Sequence, residues 1–243
     1  MEIRELRLLE EFHQAYELFD DIWRPDPRNV PMPVELMIAF AHAGGYVAGA
    51  YEGERLVGAC VGFLAADRTL HSHVTGAVAG HGAGSALKLH QREWCLRRGL
   101  ERITWTFDPL VRRNARFNLV KLGARPEEYL ERFYGVMADA INGNDESDRL
   151  LAVWRLDRPA GTTAEVSFPS VLSDAGGRPA IKPVEEPAVL VATPPDIEAM
   201  RRHDPPAARE WRLAMRETLG GLMAAGARVT GFTADGEYVV ERD

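Results

Sequence analysis

Apolar residues recur with two different spacings along the first 156 residues, and these spacings predict alternating strands and helices. Over residues 9–23 they fall three or four positions apart, as on one face of a helix. Ile103, Trp105 and Phe107 instead alternate with polar residues, as on one face of a strand. The predicted helices cover residues 9–23, 33–43, 84–98 and 112–122. The predicted strands cover residues 2–8, 46–51, 55–64, 70–78, 102–107, 129–134 and 150–156. This order predicts a mixed α/β fold.

The composition of the chain and its hydrophobic periodicity change near residue 157. Nine of the fifteen prolines lie at or after Pro159, and residues 158–187 show no helical periodicity. Beyond this stretch the pattern predicts a short strand, two helices and two further strands. We therefore expect a larger domain over 1–156, an irregular connector over 157–186, and a small α/β region over 187–243 that docks on the first.

Composition and charge narrow the functional classes. Acidic residues outnumber basic ones by 36 to 29, a formal net charge of −7, which argues against sequence-independent nucleic-acid binding. No apolar run resembles a signal peptide or approaches the ~20 residues of a membrane span. Cys60 and Cys95 are too few for a disulfide framework. We expect a cytoplasmic protein that binds neither nucleic acid nor membranes.

Four glycines between a predicted strand and a predicted helix indicate a phosphate-binding turn. Glycine lets backbone N–H groups approach a ligand, and the helix start adds unpaired N–H groups and positive dipole. A Walker loop is disfavoured, because Ser85 follows the last glycine and Lys88 comes a full turn late. A dinucleotide fingerprint, and with it an oxidoreductase, fits only loosely. A flexible surface turn is the simplest alternative. The glycines are Gly76, Gly80, Gly82 and Gly84.

The stretch from Val78 to Leu87, the strand 102–107, and the segments Asn114-Ala115 and Lys121-Leu-Gly-Ala124 resemble the GNAT superfamily of acyl-CoA-dependent N-acyltransferases. The resemblance covers residues 1–156. It implies a mostly antiparallel central sheet with one splayed strand pair, flanked by helices, with the C-terminal α/β region as an extension. The segments 70–76, 104–114 and 144–149 further resemble a bacterial subgroup found beside N-acylamino-acid racemases.

The resemblance also implies a binding mode for coenzyme A. The backbone of Ala77 and Val78 would run along the pantetheine arm, and Asn114 would contact that arm. The arginines at the start of the helix 112–122, among them Arg113, suggest an anion partner or local salt bridges. Backbone amides would hold the diphosphate at Gly80, His81, Gly82, Ala83, Gly84 and Ser85.

The chain departs from the family pattern at two positions. Ala79 replaces an arginine or glutamine of the phosphate signature, and Leu119 replaces the usual tyrosine acid. Protonation of the leaving thiolate must then come from elsewhere or from solvent. Tyr129 and Tyr134 are alternatives for this role, although core packing suits both.

Three side chains are candidates for the catalytic chemistry. His71 and His73 are two apart on one predicted strand, so they are expected to share a face, and either could accept a proton from an ammonium group. Packing is the alternative role. No third ligand accompanies them, so no metal is expected. Asp108 ends the neighbouring strand, where it would orient a base or cap the Pro109 turn. Arg212 and Arg216 are expected on a solvated helix face, with a substrate cleft as the alternative.

These observations predict an enzyme that moves an acetyl or succinyl group from acyl-CoA to the amine of a small molecule, with an amino acid as the leading candidate. Neither cysteine has the setting of a nucleophile, so direct attack in a ternary complex is expected. The alternative is a non-catalytic acyl-CoA-binding or regulatory module. A homodimer contact through the C-terminal region is left open.

Overall fold

The computed structural model describes residues 1–27, 29–137, 139–159, 161–164 and 166–242. The chain forms two compact units. The first unit consists of Met1–Trp105 with Arg155–Asp157, and the second of Thr106–Trp154 with Arg158–Asp243. The domain boundary after residue 156, which composition and periodicity indicate, remains a prediction.

The first unit contains a sheet with strand order β1-β2-β3-β4-β5. Successive strands pair in antiparallel fashion, except that β4 and β5 are parallel. The connection between these two parallel strands is a long crossover that contains a helix, as is usual for parallel pairs. The strands are β1 (Glu2–Glu5), β2 (Tyr46–Glu52), β3 (Arg55–Ala65), β4 (Thr69–Ala77) and β5 (Arg102–Phe107).

Helices cover both faces of this sheet. They are α1 (Leu9–Trp23), α2 (Val34–His42) and α3 (Ala83–Arg97). The spacing that predicts α1 is the spacing of its buried face, where Phe12, Ala15 and Phe19 join one core with Val61 of β3. Cys60, the neighbour of Val61, points the other way and contacts Gln91 of α3. Because side chains alternate along a strand, α1 and α3 lie on opposite faces.

Gly76 lies within β4 rather than in the turn that follows it. A Cβ atom there would come within about 3 Å of Phe19, Ile22 and Trp23 of α1. This glycine therefore permits the close approach of α1 to the sheet. Of the four glycines in the sequence cluster, it has a packing role.

The second unit contains α4 (Arg112–Ala115), which continues as a π-helix over Arg116–Leu122. It also contains an antiparallel pair, β6 (Arg125–Leu130) and β7 (Arg149–Arg155). A five-stranded mixed sheet follows, with order β11-β12-β10-β8-β9. Its strands are β8 (Ser170–Asp174), β9 (Pro179–Ile181), β10 (Ala188–Ala192), β11 (Arg228–Phe232) and β12 (Glu237–Glu241). Its helices are α5 (Ile197–His203), α6 (Pro205–Met215), a π turn over Arg216–Gly220, and α7 (Gly221–Ala224).

The mixed α/β class predicted from the sequence is confirmed, with local differences. Two short strands, β8 and β9, lie within the stretch 157–186 that the pattern predicts to be irregular. The strand predicted at 129–134 begins earlier, at Arg125, because an edge strand tolerates Pro126 and the acidic residues after it. Within the described residues, no helix is long and apolar enough to cross a membrane.

Candidate active site

The parallel pairing of β4 and β5 is short. It comprises the pairs Thr69–Arg102, Leu70–Ile103 and His71–Thr104, and it ends there. Beyond His71, the pairs described for β4, which continue to Ala77, are pairs with β3. The backbone groups of β4 on the β5 side are therefore outside that ladder over its second half, as expected of a splayed strand pair.

A β-bulge at His73 lies just beyond the end of this ladder. Ser72 pairs with Gly62 and Val74 pairs with Val61, so His73 is an extra residue on β4. A bulge bends its strand and increases the local twist. The bulge comes two residues after the last pair with β5, so the irregular part of β4 begins where the ladder ends.

The bulge gives the two histidines different backbone settings, although their rings lie side by side. Their ring centroids are 6.4 Å apart, and both contact the ring of Phe63, at 5.1 Å for His71 and 6.1 Å for His73. They are thus brought together, as the two-residue spacing predicts. Their backbones are not equivalent, because His71 belongs to the regular ladder whereas His73 is the bulge residue.

Both imidazoles are neutral at neutral pH. Burial, with smaller contributions from the neighbouring His73 and Lys88, lowers the pKa of His71 to about 4. The His71 Nδ1 atom lies 3.1 Å from the Thr104 hydroxyl. Desolvation also lowers the pKa of His73, which a hydrogen bond to the Pro31 carbonyl opposes. His73 is the more exposed of the two, and so the better placed to exchange a proton with a substrate.

The turn between β4 and α3 provides open space beside its backbone. The Val78 N–H donates to the Val57 carbonyl at 2.9 Å, so the strand register extends to Val78. Gly80 and Gly82 then adopt φ of +88° and +69°, which favour glycine. A Cβ atom added at either position would meet no atom within 4 Å. The turn therefore leaves room for a ligand against the main chain.

The start of α3 is suited to an anion. Gly82 is its N-cap and supplies no side-chain acceptor, and no acidic residue lies in the first turn. The first helical hydrogen bond joins the Ala86 N–H to the Gly82 carbonyl. The N–H groups of Ala83, Gly84 and Ser85 therefore precede the helical ladder and carry the positive end of the dipole. The His81 side chain turns to Glu52 at 3.0 Å, where it lowers the pKa of that carboxyl.

A buried lysine lies beneath β4. The sequence pattern did not identify it as a site residue. Lys88 of α3 is 5% exposed, and its Nζ donates to the Ser72 hydroxyl at 2.8 Å and to the Gln91 amide oxygen at 3.2 Å. The Nζ also lies 4.2 Å from the ring centroid of Trp105. Burial lowers the pKa of Lys88 to about 8. Helical spacing could have found it, because it precedes Gln91 by three positions on the buried face of α3.

Asp108, a predicted catalytic residue, lies in the second unit within a cluster of arginines. Arg212 binds its two oxygens at 2.9 and 2.7 Å, and Arg201 and Arg149 also pair with it. Its Oδ1 also accepts from the Leu110 N–H. Burial alone would raise the pKa of Asp108, but the guanidinium groups hold it far below its usual range. Such a carboxylate is a poor proton acceptor, so these contacts favour a structural role.

The other predicted residues of the second unit have partners of their own. Arg113 forms an ion pair with Glu198, which corresponds to the local salt bridge considered from sequence. Asn114 is half-buried, and its N–H donates to the Val111 carbonyl. Leu119, at the position of the family tyrosine, is buried.

The expectation that Arg212 and Arg216 lie on a solvated face is wrong. Arg212 is 1% exposed and binds Asp108, while Arg216 binds Asp148 at 2.8 Å. Asp148 also accepts a hydrogen bond from Tyr129 at 2.8 Å, and burial, with this carboxylate, raises the pKa of Tyr129. Both arginines are structural cations of the second unit.

Solved structures place this arrangement among known folds. A proposed acetyltransferase of the GNAT family from Desulfovibrio desulfuricans superposes with a TM-score of 0.53 at 14% identity, covering 64% of this chain and 98% of its own. About two thirds of the chain has the GNAT acetyltransferase fold. The ribosomal-protein-S18-alanine N-acetyltransferase of Escherichia coli gives a TM-score of 0.52 at 10% identity, with coverage of 65% and 96%.

A third structure with the GNAT fold was solved with a ligand. The protein yncA of Salmonella typhimurium, a proposed acetyltransferase solved with its cofactor acetyl-CoA, gives a TM-score of 0.51 at 14% identity, covering 67% of this chain and 98% of its own. The sequence matches no protein-family model and no curated protein. At such low identity the likeness establishes the fold, and about a third of this chain lies outside the matched region.

The described residues contain no group of three or more His, Cys, Asp or Glu side chains that could hold a metal ion.

Proposed function

We propose that this protein is an acyl-CoA-dependent N-acyltransferase that transfers an acetyl or succinyl group to the amine of a small molecule, with an amino acid as the first candidate acceptor. One observation carries the proposal: in a GNAT fold, the strand that leaves its parallel neighbour runs directly into a glycine turn and an acid-free helix start. This arrangement suits a long ligand with a diphosphate at one end.

The diphosphate would bind the main chain of the turn and the first turn of α3. The N–H groups from Gly80 to Ser85 precede the helical ladder, and the open space at Gly80 and Gly82 admits the phosphates. The pantetheine arm would then lie along β4 from Ala77 toward the bulge. Its amides would pair with backbone groups that β5 leaves free, as an added strand does. Contacts from Arg113 and Asn114 stay predictions from the resemblance.

The reaction would take place near the bulge. The amine nitrogen attacks the thioester carbonyl, the C–S bond breaks, and the amine proton passes to a base. We assign the base to His73, because it is neutral at neutral pH and the more exposed of the two histidines. His71 is the weaker base and would position its neighbour through the shared contact with Phe63. A bulge residue leaves the regular ladder, so its backbone N–H is a candidate donor to the thioester oxygen.

A matched pair of glycine variants tests the binding site. Gly82→Ala and Gly44→Ala each place a side chain at positive φ with no atom within 4 Å, but Gly44 lies in the turn between α2 and β2. Both should lose about 1 kcal/mol of stability. Only Gly82→Ala should weaken coenzyme A binding in calorimetry. Equal affinity in the two variants would refute the site.

The activity itself is tested with acetyl-CoA and succinyl-CoA against a panel of amines and amino acids. His73→Gln should lower kcat by about 10²-fold or more while coenzyme A binding is retained. The non-catalytic module is favoured by the low basicity of His71 and by Leu119 at the tyrosine position. Tight coenzyme A binding with no product from any pair would establish that alternative. Cytoplasmic location and a homodimer remain predictions.

A further inference from the structure

A buried ammonium group lies where β4 and β5 separate. The last paired residues of the two strands are His71 and Thr104, and the next residues along the strands are Ser72 and Trp105. The Lys88 Nζ contacts both of these, at 2.8 Å from the Ser72 hydroxyl and 4.2 Å from the Trp105 ring centroid. It thus lies beneath the vertex of the splayed pair.

The charge of Lys88 is not balanced by a carboxylate. In the part of the chain that the structure describes, no ion pair includes Lys88, and its hydrogen-bond partners are a hydroxyl and an amide. A buried charge is costly unless it is paired, and methionine would fill similar space without that cost. A purely structural requirement at this position therefore does not explain a lysine.

The proposed route of the acyl-CoA leads to this group, and this step rests on the proposed function. From Val78, which adjoins the turn where the diphosphate would bind, to Ser72 the strand spans about 20 Å. That distance is close to the length of an extended pantetheine arm. The thioester end of the arm would therefore lie near Ser72 and the bulge, next to the Lys88 ammonium.

We propose that Lys88 is the proton donor to the thiolate of coenzyme A, in place of the tyrosine that Leu119 replaces. As the amine nitrogen bonds to the acyl carbon, the C–S bond breaks and its electron pair stays on sulfur. A proton moves from Lys88 Nζ to that sulfur, which yields free coenzyme A. Lys88 then regains a proton from solvent, which in turn receives the amine proton through His73.

The acidity of Lys88 supports this transfer. Burial lowers its pKa to about 8, close to the ~8.5 of an unperturbed cysteine thiol. Proton transfer between groups of matched acidity is nearly thermoneutral, and Lys88 remains mostly charged at neutral pH.

The first test needs no turnover. Coenzyme A is bound to the wild type, to Lys88→Met and to Lys182→Met, and the bound thiol is titrated through its thiolate absorbance. Lys182 is an exposed lysine, so its variant serves as the matched control. An adjacent ammonium should lower the pKa of the bound thiol by about one unit in the wild type and the control, and not in Lys88→Met. Equal thiol pKa values in all three would overturn the proposal.

The second test uses the reaction. Lys88→Met and Lys88→Gln should lower kcat with acetyl-CoA by about 10²-fold or more while KM for the amine stays nearly constant. With the thioester of 4-nitrothiophenol, whose thiolate leaves without protonation, the variants should match the wild type. Lys88→Arg keeps the charge but is a far weaker acid. Full activity in Lys88→Arg would show that charge alone suffices and would contradict a proton donor.

These tests distinguish a failure of the proposed function from a failure of the proton-donor role of Lys88. If the wild type binds coenzyme A but acylates no amine, the proposed function fails, whereas the thiol titration still decides the proximity of Lys88. If the wild type is active and Lys88→Met matches it, the proton-donor role fails alone.

Discussion

Asp108 in the second unit and Lys88 in the first are both buried ionisable groups, yet their surroundings differ in kind. Asp108 is bound by Arg212, Arg201 and Arg149. Lys88 contacts a hydroxyl, an amide oxygen and an indole ring. Burial opposes the charge in both cases, but only Asp108 has opposite charges that outweigh it.

This difference separates a structural charge from one available for chemistry. The surrounding guanidinium groups hold the pKa of Asp108 far below its usual range, so this carboxylate does not take up a proton near neutrality. The pKa of Lys88, at about 8, lies within reach of ordinary conditions. Ionisable groups whose pKa is shifted and that have no oppositely charged partner are often found at functional sites, and Lys88 is such a group.

The largest expected effect on stability follows from removing the charge of Asp108, which the arginines neutralise. Asp108→Asn keeps the shape of the side chain but removes a carboxylate that three arginines share, and only Arg201 and Arg212 of these also pair with Asp145 among the described contacts. We expect a loss of about 3–5 kcal/mol in the free energy of unfolding, measured by denaturant titration.

The matched control for this loss is Asp157→Asn. Asp157 is exposed and pairs weakly with Arg155 at 3.8 Å, so its replacement should cost less than about 1 kcal/mol. A similar small loss for Asp108→Asn would mean that the arginine cluster contributes little to the second unit. Asp108→Glu, which keeps the charge, should fold even if the asparagine variant does not.

A second prediction concerns the pH dependence of stability at Lys88. Its pKa is 10.5 in the unfolded chain and about 8 when folded, so the unfolded state binds more protons between these values. The destabilisation by the buried charge is complete below pH 8 and disappears above pH 10.5. Relative to Lys88→Met, the wild type should therefore gain roughly 3 kcal/mol of stability across this range.

The measurement is the difference in unfolding free energy between the wild type and Lys88→Met at several pH values. Using the difference cancels the titration of all other groups and the loss of packing at Lys88. Lys182→Met should show no such slope. A difference that does not change with pH would show that Lys88 is compensated after all, and the contrast with Asp108 would not hold.

The smallest effect on stability is expected at the start of α3, whose first turn contains no acidic residue. Ser85→Asp adds a carboxylate to the positive end of the helix, which should stabilise the protein by about 0.3–1 kcal/mol. The same charge should repel the diphosphate and weaken coenzyme A binding by about tenfold or more. Ser85→Asn is the neutral control. Unchanged affinity in Ser85→Asp would argue against this binding site.

The sequence predicted those features of the first unit that depend on local rules. Helical spacing predicted α1 and α3, and the glycine cluster marked the turn that contains Gly80 and Gly82. Positive φ at these two positions is a local requirement that only glycine meets readily, so it is visible in the chain. Gly76 was misplaced because its requirement is the approach of α1, a contact distant in sequence.

The features that were not predicted depend on pairing between distant residues. The bulge at His73 is a relation between β3 and β4, and nothing in the local sequence of β4 specifies it. Arg212 is spaced like a solvent-facing residue, and only the distant Asp108 accounts for its burial. Lys88 was visible as a polar residue on an apolar face, but its partners Ser72 and Trp105 lie on other elements.

The turn after β4 and the start of α3 are proposed to bind coenzyme A through the main chain. Titration of the ¹⁵N-labelled protein with coenzyme A, followed by amide chemical shifts, tests this proposal most directly. The account predicts saturable shifts concentrated at Gly80, Gly82, Ala83, Gly84 and Ser85, with smaller ones along β4. Saturable shifts confined to other parts of the chain, with these five amides unmoved, would contradict it.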